Sequence, residues 1–291
     1  MPHATPHTHA HAHGQADAPH RHDADLADLL DLDAVVLHAY WSQAMTLVSA
    51  AVPDAPPQRI VDLGAGTGVG TLALADVFPG AEVVAVDVSP ESLGRLEAAA
   101  ARRGLADRVT TRVADLDAGW PDLGPVDLAW SSLALHHLAD PVRVLAELRA
   151  VTTPGGVLAV AEFEEALRFL PDDLGVGRPG FEARLSQRLA EAHRDLLPMM
   201  DAAWPARLTA AGWTVTGEQT LTVDLDPPES PEANRYAWGW FSRLAEQLGD
   251  ALDDDDRATL AVLVAPDGPH TLLSRTDLHI RGERTVTVAR R

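Results

Sequence analysis

The sequence predicts an α/β fold: a doubly wound, mostly parallel sheet of seven strands with an N-terminal helix and a helical insertion. Three observations carry that prediction. Apolar runs of strand length alternate with helical patterns between residues 58 and 163, as strands joined by crossover helices do. A glycine-spaced bend, Gly64-Ala65-Gly66-Thr67-Gly68, ends the first run. The second run closes on an acid, Asp87.

Arg59 to Leu63 reads as a buried strand, and Thr71 to Phe78 follows a helical pattern. The glycine turn between them joins a strand end to a helix N-terminus, where backbone N–H groups and open space meet a polar ligand. Glu82 to Asp87 is the second strand. An acid at its carboxyl end is placed to accept two hydrogen bonds from a ribose diol, strengthened by its charge. Asp87 equally suits the start of the helix that Ser89 and Pro90 begin, and the two roles are compatible. Val109 to Val113 is the third strand, running into Asp115 and Leu116. Pro125 to Ser132 is the fourth, ending in Ser131 and Ser132, and Asp140-Pro141 opens a helix to Ala150. Thr153-Pro154-Gly155-Gly156 is a turn before the fifth strand, Val157 to Phe163.

The loop discriminates between cofactors. A dinucleotide fingerprint needs G-x-G-x-x-G, and its third glycine falls on Val69 or Thr71 in the two possible registers. Asp62-x-Gly64-x-Gly66-x-Gly68 instead resembles the first motif of class I methyltransferases, Rossmann-like enzymes that use S-adenosylmethionine. The phrase Leu133-Ala-Leu-His136-His137-Leu-Ala-Asp-Pro141 is similar to a segment of the small-molecule members. The resemblance spans about residues 58–163. It implies that Gly64, Ala65, Gly66 and Gly68 wrap the amino-acid and ribose portions of the cofactor, with Asp62 shaping the loop. It further implies Asp87 and Val88 at the ribose, Asp115 and Leu116 at the adenine, and Ser131 at the fourth strand's end.

Composition removes competing chemistries. The chain of 291 residues has no cysteine and no lysine, all 23 basic residues being arginine. Thiolate catalysis, zinc–thiolate sites, Schiff-base lysines and P-loop lysines are therefore excluded. A net charge of −20 argues against nucleic acid, whose binding depends on neutralising phosphates. No apolar run approaches the ~20 residues of a membrane span, and no secretory signal opens the chain. The expectation is a cytoplasmic protein acting on a small molecule, with monomer and homodimer both open.

Seven histidines lie within the first 22 residues. Residues 1–25 read as a disordered tail, either solvated with incidental Ni²⁺ or Zn²⁺ affinity or metal-storing, and no metal site is expected in the domain, residues 26–291. Residues 26–52 form a helical cap carrying Tyr40 and Trp41. In related methyltransferases such a helix crosses the cofactor cleft, and an aromatic face there suits the sulfonium; packing against the sheet is the alternative. Residues 58–163 are the cofactor-binding core. Residues 164–291 make a helical substrate-side region and the last strands: helices at 181–197 and 202–211, a sixth strand over 212–225 with a bulge, a helical pair at 227–264, and a last strand over 278–289. The resemblance makes the aromatics Tyr236, Trp238, Trp240 and Phe241 a candidate acceptor wall, with simple packing as the alternative, and Asp253 to Asp256 reads as an acidic helix start.

The chemistry follows from the cofactor. A sulfonium already activates the methyl group, so in-line displacement mainly needs alignment and a desolvated acceptor. An O–H, N–H or C–H acceptor also needs a base, and His136 and His137, just past the fourth strand, are candidates, with structural roles as the alternative. Two other readings remain: a non-catalytic ligand-binding regulator that kept the pocket, and a nicotinamide-dependent oxidoreductase, against which the missing third glycine speaks.

Overall fold

A computed structural model describes residues 18–52, 55–163, 165–196, 203–226 and 230–291. The parallel strands are β1 (Arg59–Leu63), β2 (Glu82–Asp87), β3 (Val109–Val113), β4 (Val126–Ser132) and β5 (Thr152–Glu162). β6 (Thr214–Leu225) and β7 (Ile280–Arg290) complete a seven-stranded sheet in the order β3-β2-β1-β4-β5-β7-β6, with β7 antiparallel to both neighbours. The chain moves outward from β1 through β2 and β3, then returns to lay β4 against the other side of β1. That reversal opens a crevice at the carboxyl ends of β1 and β4, where ligands of doubly wound sheets bind.

Around the sheet lie α1 (Ala18–Val36), α2 (His38–Ala51), α3 (Val69–Val77), α4 (Pro90–Arg102), α5 (Pro141–Val151), α6 (Phe181–Leu196), α7 (Trp204–Ala210), α8 (Pro231–Leu248) and α9 (Asp254–Leu263). Central strands are apolar on both faces, which is why they read as unbroken runs rather than alternations. Ile60, Leu128 and Trp130 face one layer with Val48 of α2 and Leu74 of α3. Val61, Leu63 and Leu158 face the other with Leu145 and Leu148 of α5 and Leu208 of α7. A fully buried leucine of this kind stabilises by roughly 1.5–3 kcal/mol. The expected caps form: Ser89 accepts from the N–H of Ser92, Asp140 from Arg143 and Asp253 from Asp256.

The structure revises three local expectations. The N-terminal helix is two helices, broken at Leu37, so that α1 can turn toward the strand ends while α2 packs on the sheet. α1 begins at Ala18, inside the stretch read as disordered; Pro19 occupies its first turn, where a missing N–H costs nothing. Residues 1–17, with most of the proposed metal-binding histidines, lie outside the described residues. Residues 153–156 belong to β5 rather than to a preceding turn. The register against β4 jumps from Val126↔Thr152 to Leu128↔Val157, so they form a bulge, with Gly155 at φ +78°.

Candidate active site

Gly64, Gly66 and Gly68 all have left-handed backbones, at φ +70°, +53° and +89°, which side chains with a Cβ resist. At Gly64 an added Cβ would lie 2.2 Å from Cβ of Ala134, so the bend packs bare backbone against the loop after β4. Two N–H groups, of Gly64 and Ala65, donate to the Val86 carbonyl at 2.9 and 3.0 Å. Asp87 completes the fastening. Its Oδ2 accepts from the Gly66 N–H and its Oδ1 from the Ser89 N–H, each at 2.8 Å. Each carboxylate oxygen retains further acceptor capacity for a ligand.

A cavity of about 550 Å³ lies over these strand ends, within the usual range for small-ligand sites. Asp62, Gly64, Ala65, Gly66, Asp87, Val88, Asp115 and Leu116 line it. Asp115 also fixes its own loop, accepting from the Asp117 N–H at 2.9 Å. Asp62 is buried and accepts from the Thr71 hydroxyl at 2.6 Å. Burial pushes its pKa up to about 7; the Thr71 hydrogen bond opposes that rise and the like charge of Asp87 adds to it.

Ser131 and Tyr40 are not brought into this cavity. The Ser131 hydroxyl donates to the Leu63 carbonyl at 2.9 Å, because alternation along β4 turns it away from the ring of its neighbour Trp130, which does line the cavity. Tyr40 is buried with its ring 4.8 Å from the Arg284 guanidinium carbon, so a resident cation already takes its face. The aromatic that α2 presents to the cavity is Trp41. Gly68 lies just behind the lining, its Cβ position filled by Leu96 of α4.

A second cavity of about 260 Å³ adjoins the first, and Leu26, Leu30, Asp33, Leu133 and His137 line both. Leu133, just past β4, is in the left-handed region at φ +53°, a conformation uncommon for a leucine. His136 lines the second cavity together with Phe163, Tyr236 and Trp240. Tyr236 and Trp240 of the aromatic cluster thus reach this cavity, whereas Phe241 is core and Trp238 donates to the Val264 carbonyl at 2.8 Å.

Sequence reasoning missed two features. Glu162, at the carboxyl end of β5, is buried against His136, with Nδ1 to Oε2 at 2.7 Å. A strand-end acid was the signal that singled out Asp87, and it was present here too. Asp33 of α1 forms a buried fork with Arg284 of β7, accepting from Nη1 at 3.1 Å and from Nη2. It also accepts from the Tyr236 hydroxyl at 2.7 Å and from Trp41 Nε1 at 3.3 Å. No local pattern announces a pair so distant in the chain.

The donor set fits an adenosyl cofactor. The bend offers backbone without side chains, and Asp87 offers a fixed charged acceptor. The Thr67 hydroxyl and Trp130 Nε1 are buried without a hydrogen-bond partner among the described residues, and both residues line the larger cavity. Among the described residues there is no cluster able to hold a metal and no helix long and apolar enough to cross a membrane.

Comparisons with known proteins bear on the family and the fold. A methyltransferase-domain family model matches residues 61–158. The trans-aconitate 2-methyltransferase of Methylobacterium radiotolerans is 39% identical over 72% of this chain and 71% of its own length. The demethylmenaquinone methyltransferase of Thermobifida fusca is 32% identical over 69% of this chain and 88% of its own. Relatives from Synechococcus and Oryza sativa match over 30% and 38% of their lengths, so the chain spans about a third of those proteins. Among solved structures, a Bacillus halodurans protein assigned as a methyltransferase superposes with TM-score 0.53 at 16% identity, covering 86% of this chain and 97% of that one. YcgJ from Bacillus subtilis does so with TM-score 0.51 at 15% identity, over 86% and 98%. These two share the fold.

Proposed function

Because this chain belongs to the class I S-adenosylmethionine-dependent methyltransferases, we propose that it transfers a methyl group from S-adenosylmethionine to a small molecule held in the second cavity. The observation that carries this reading is the junction of two cavities: one is lined by the glycine bend and Asp87, the other by His136 and aromatic side chains, and they share a wall.

Residues 64–66 and Asp87 are assigned to the amino-acid and ribose portions of the cofactor, Asp115 and Leu116 to the adenine, and Trp41 to the neighbourhood of the sulfonium. When bound, the cofactor supplies a methyl group already activated by positive sulfur. The protein then has to align an acceptor, keep water out and, for a protonated acceptor, take up the proton. Leu26, Leu30 and Leu133, at the boundary of the cavities, exclude water there. His136 or His137 is the group assigned to the proton. The proposal extends to a cytoplasmic role in small-molecule metabolism, which the net charge of −20 supports against nucleic-acid substrates.

Adenosylhomocysteine and NAD⁺ separate the readings. Adenosylhomocysteine, and not NAD⁺, should raise the melting temperature of the full chain. Stabilisation by NAD⁺ instead returns the chain to the oxidoreductase reading. Transfer of labelled methyl from the cofactor to a component of a small-molecule extract then distinguishes an enzyme from a binding protein.

A further inference from the structure

We infer that Glu162 is the positioning residue that makes His136 a base, and that the acceptor is a hydroxyl on a flat apolar body rather than a carboxylate. The inference rests on the methyl-transfer reading. Glu162 uses both carboxylate oxygens: Oε1 accepts from the Leu135 backbone N–H at 3.1 Å and Oε2 meets His136 Nδ1 at 2.7 Å. The Leu135 contact fixes the carboxylate's position, because a backbone N–H can only donate. A carboxylate offers only acceptors, so Nδ1 carries the imidazole proton. The ring's lone pair is then on Nε2, in a residue that lines the second cavity. His137 at 4.1 Å and Phe163 at 5.6 Å, measured between ring centroids, hold the imidazole plane.

The charges around this cavity are balanced, so the acceptor class follows from the base. Glu165 lines it from the loop after β5, Asp33 from α1, Arg243 from α8 and Arg284 from β7, and His137 adjoins His136. Arg284 is neutralised by Asp33. A carboxylate acceptor is already ionised near neutrality and would give a base nothing to remove. A hydroxyl has a proton to give. Its oxygen forms the new O–C bond as the C–S bond breaks with its electron pair remaining on sulfur, which becomes a neutral thioether. The hydroxyl proton passes to His136 Nε2, and Glu162 balances the resulting imidazolium before water takes the proton away. Phe163, Trp240, Leu189 and Leu244 supply apolar walls for the body.

Two measurements on the full chain test this. Nitrogen-15 spectra of the protein with adenosylhomocysteine should show His136 protonated at Nδ1 and bare at Nε2. In Glu162→Gln, the oxygen held by the Leu135 N–H leaves the amide NH2 facing Nδ1, which must then accept, so the imidazole proton should move toward Nε2. A bare Nδ1 in the wild type, or an unchanged tautomer in the variant, overturns the inference. Labelled methyl transfer is then measured to catechol and 2-naphthol against benzoate. A hydroxyl preference of at least tenfold is expected. In Glu162→Gln, kcat should fall at least tenfold with KM for S-adenosylmethionine within twofold. Preference for benzoate, unchanged kcat in the variant, or no transfer to any hydroxyl probe overturns it. Failure of adenosylhomocysteine to bind would instead remove the methyl-transfer reading itself, so the two failures are distinguishable.

Discussion

Asp33 and Arg284, 251 residues apart in sequence, meet as a buried two-pronged ion pair between the first helix and the last strand. The Arg284 guanidinium holds the Asp33 carboxyl below its ordinary pKa despite the opposing effect of burial. Asp33→Ala leaves a buried arginine uncompensated and should cost about 3–5 kcal/mol, whereas the double change with Arg284→Met should recover much of it. Urea midpoints of the four proteins check this. Because the folded pKa is depressed, the pair's contribution is present above the unfolded value of 3.8 and is lost as pH falls below it.

Asp62 has the opposite dependence. Its folded pKa of about 7 lies above the ordinary aspartate value of 3.8, so between these pH values the folded chain keeps a proton that the unfolded chain has lost. Stability contributed through this group therefore falls as pH rises across that window, by roughly 4 kcal/mol once the window is passed. Asp62→Asn keeps an acceptor for Thr71 and escapes the penalty. Its stability advantage over wild type should grow between pH 5 and pH 8, as read from denaturant midpoints at each pH; an advantage that shrinks would contradict the burial argument.

Gly64→Ala combines a left-handed backbone with a Cβ 2.2 Å from Ala134 Cβ. The expected loss is about 2–4 kcal/mol from strain and overlap together. Adding Ala134→Gly removes the overlap and should leave only the left-handed cost, about 1–2 kcal/mol. A double-mutant cycle showing no coupling would mean the two loops are not packed as described.

Asp87 fastens the glycine bend through Gly66 and also offers acceptors to the cavity. Asp87→Ala should weaken adenosylhomocysteine binding by about 2–3 kcal/mol, tens- to a hundredfold in Kd by calorimetry. Asp87→Asn, which retains one acceptor, should fall between. Equal affinity in all three proteins would remove the residue from the site.

The cofactor side of this molecule is written in short stretches of sequence. A bend that must be bare, an acid at a strand end and their spacing are local, so Gly64, Asp87 and Asp115 are legible in the sequence as candidates. The boundary between the cavities is not. Asp33, Trp41, Tyr236 and Arg284 come from α1, α2, α8 and β7, and only the closed fold brings them into contact. Tyr40 and Trp41 are adjacent on one helix, and which of them faces the cavity depends on the rotation of α2, set by where the chain breaks at Leu37. Ser131 points away from the cavity that its neighbours Trp130 and Ser132 line, and that alternation takes the whole strand to read. Glu162 stood at a strand end like Asp87, but with no recognisable phrase around it.

One helix face, presenting Leu26, Leu30 and Asp33, borders both chambers. If occupancy of either chamber settles that face, each guest must alter the other's affinity by an identical factor, since linkage is reciprocal. Trimming Leu30 should thus loosen both guests together, a correlated loss that pocket-by-pocket mutagenesis would mistake for two independent defects.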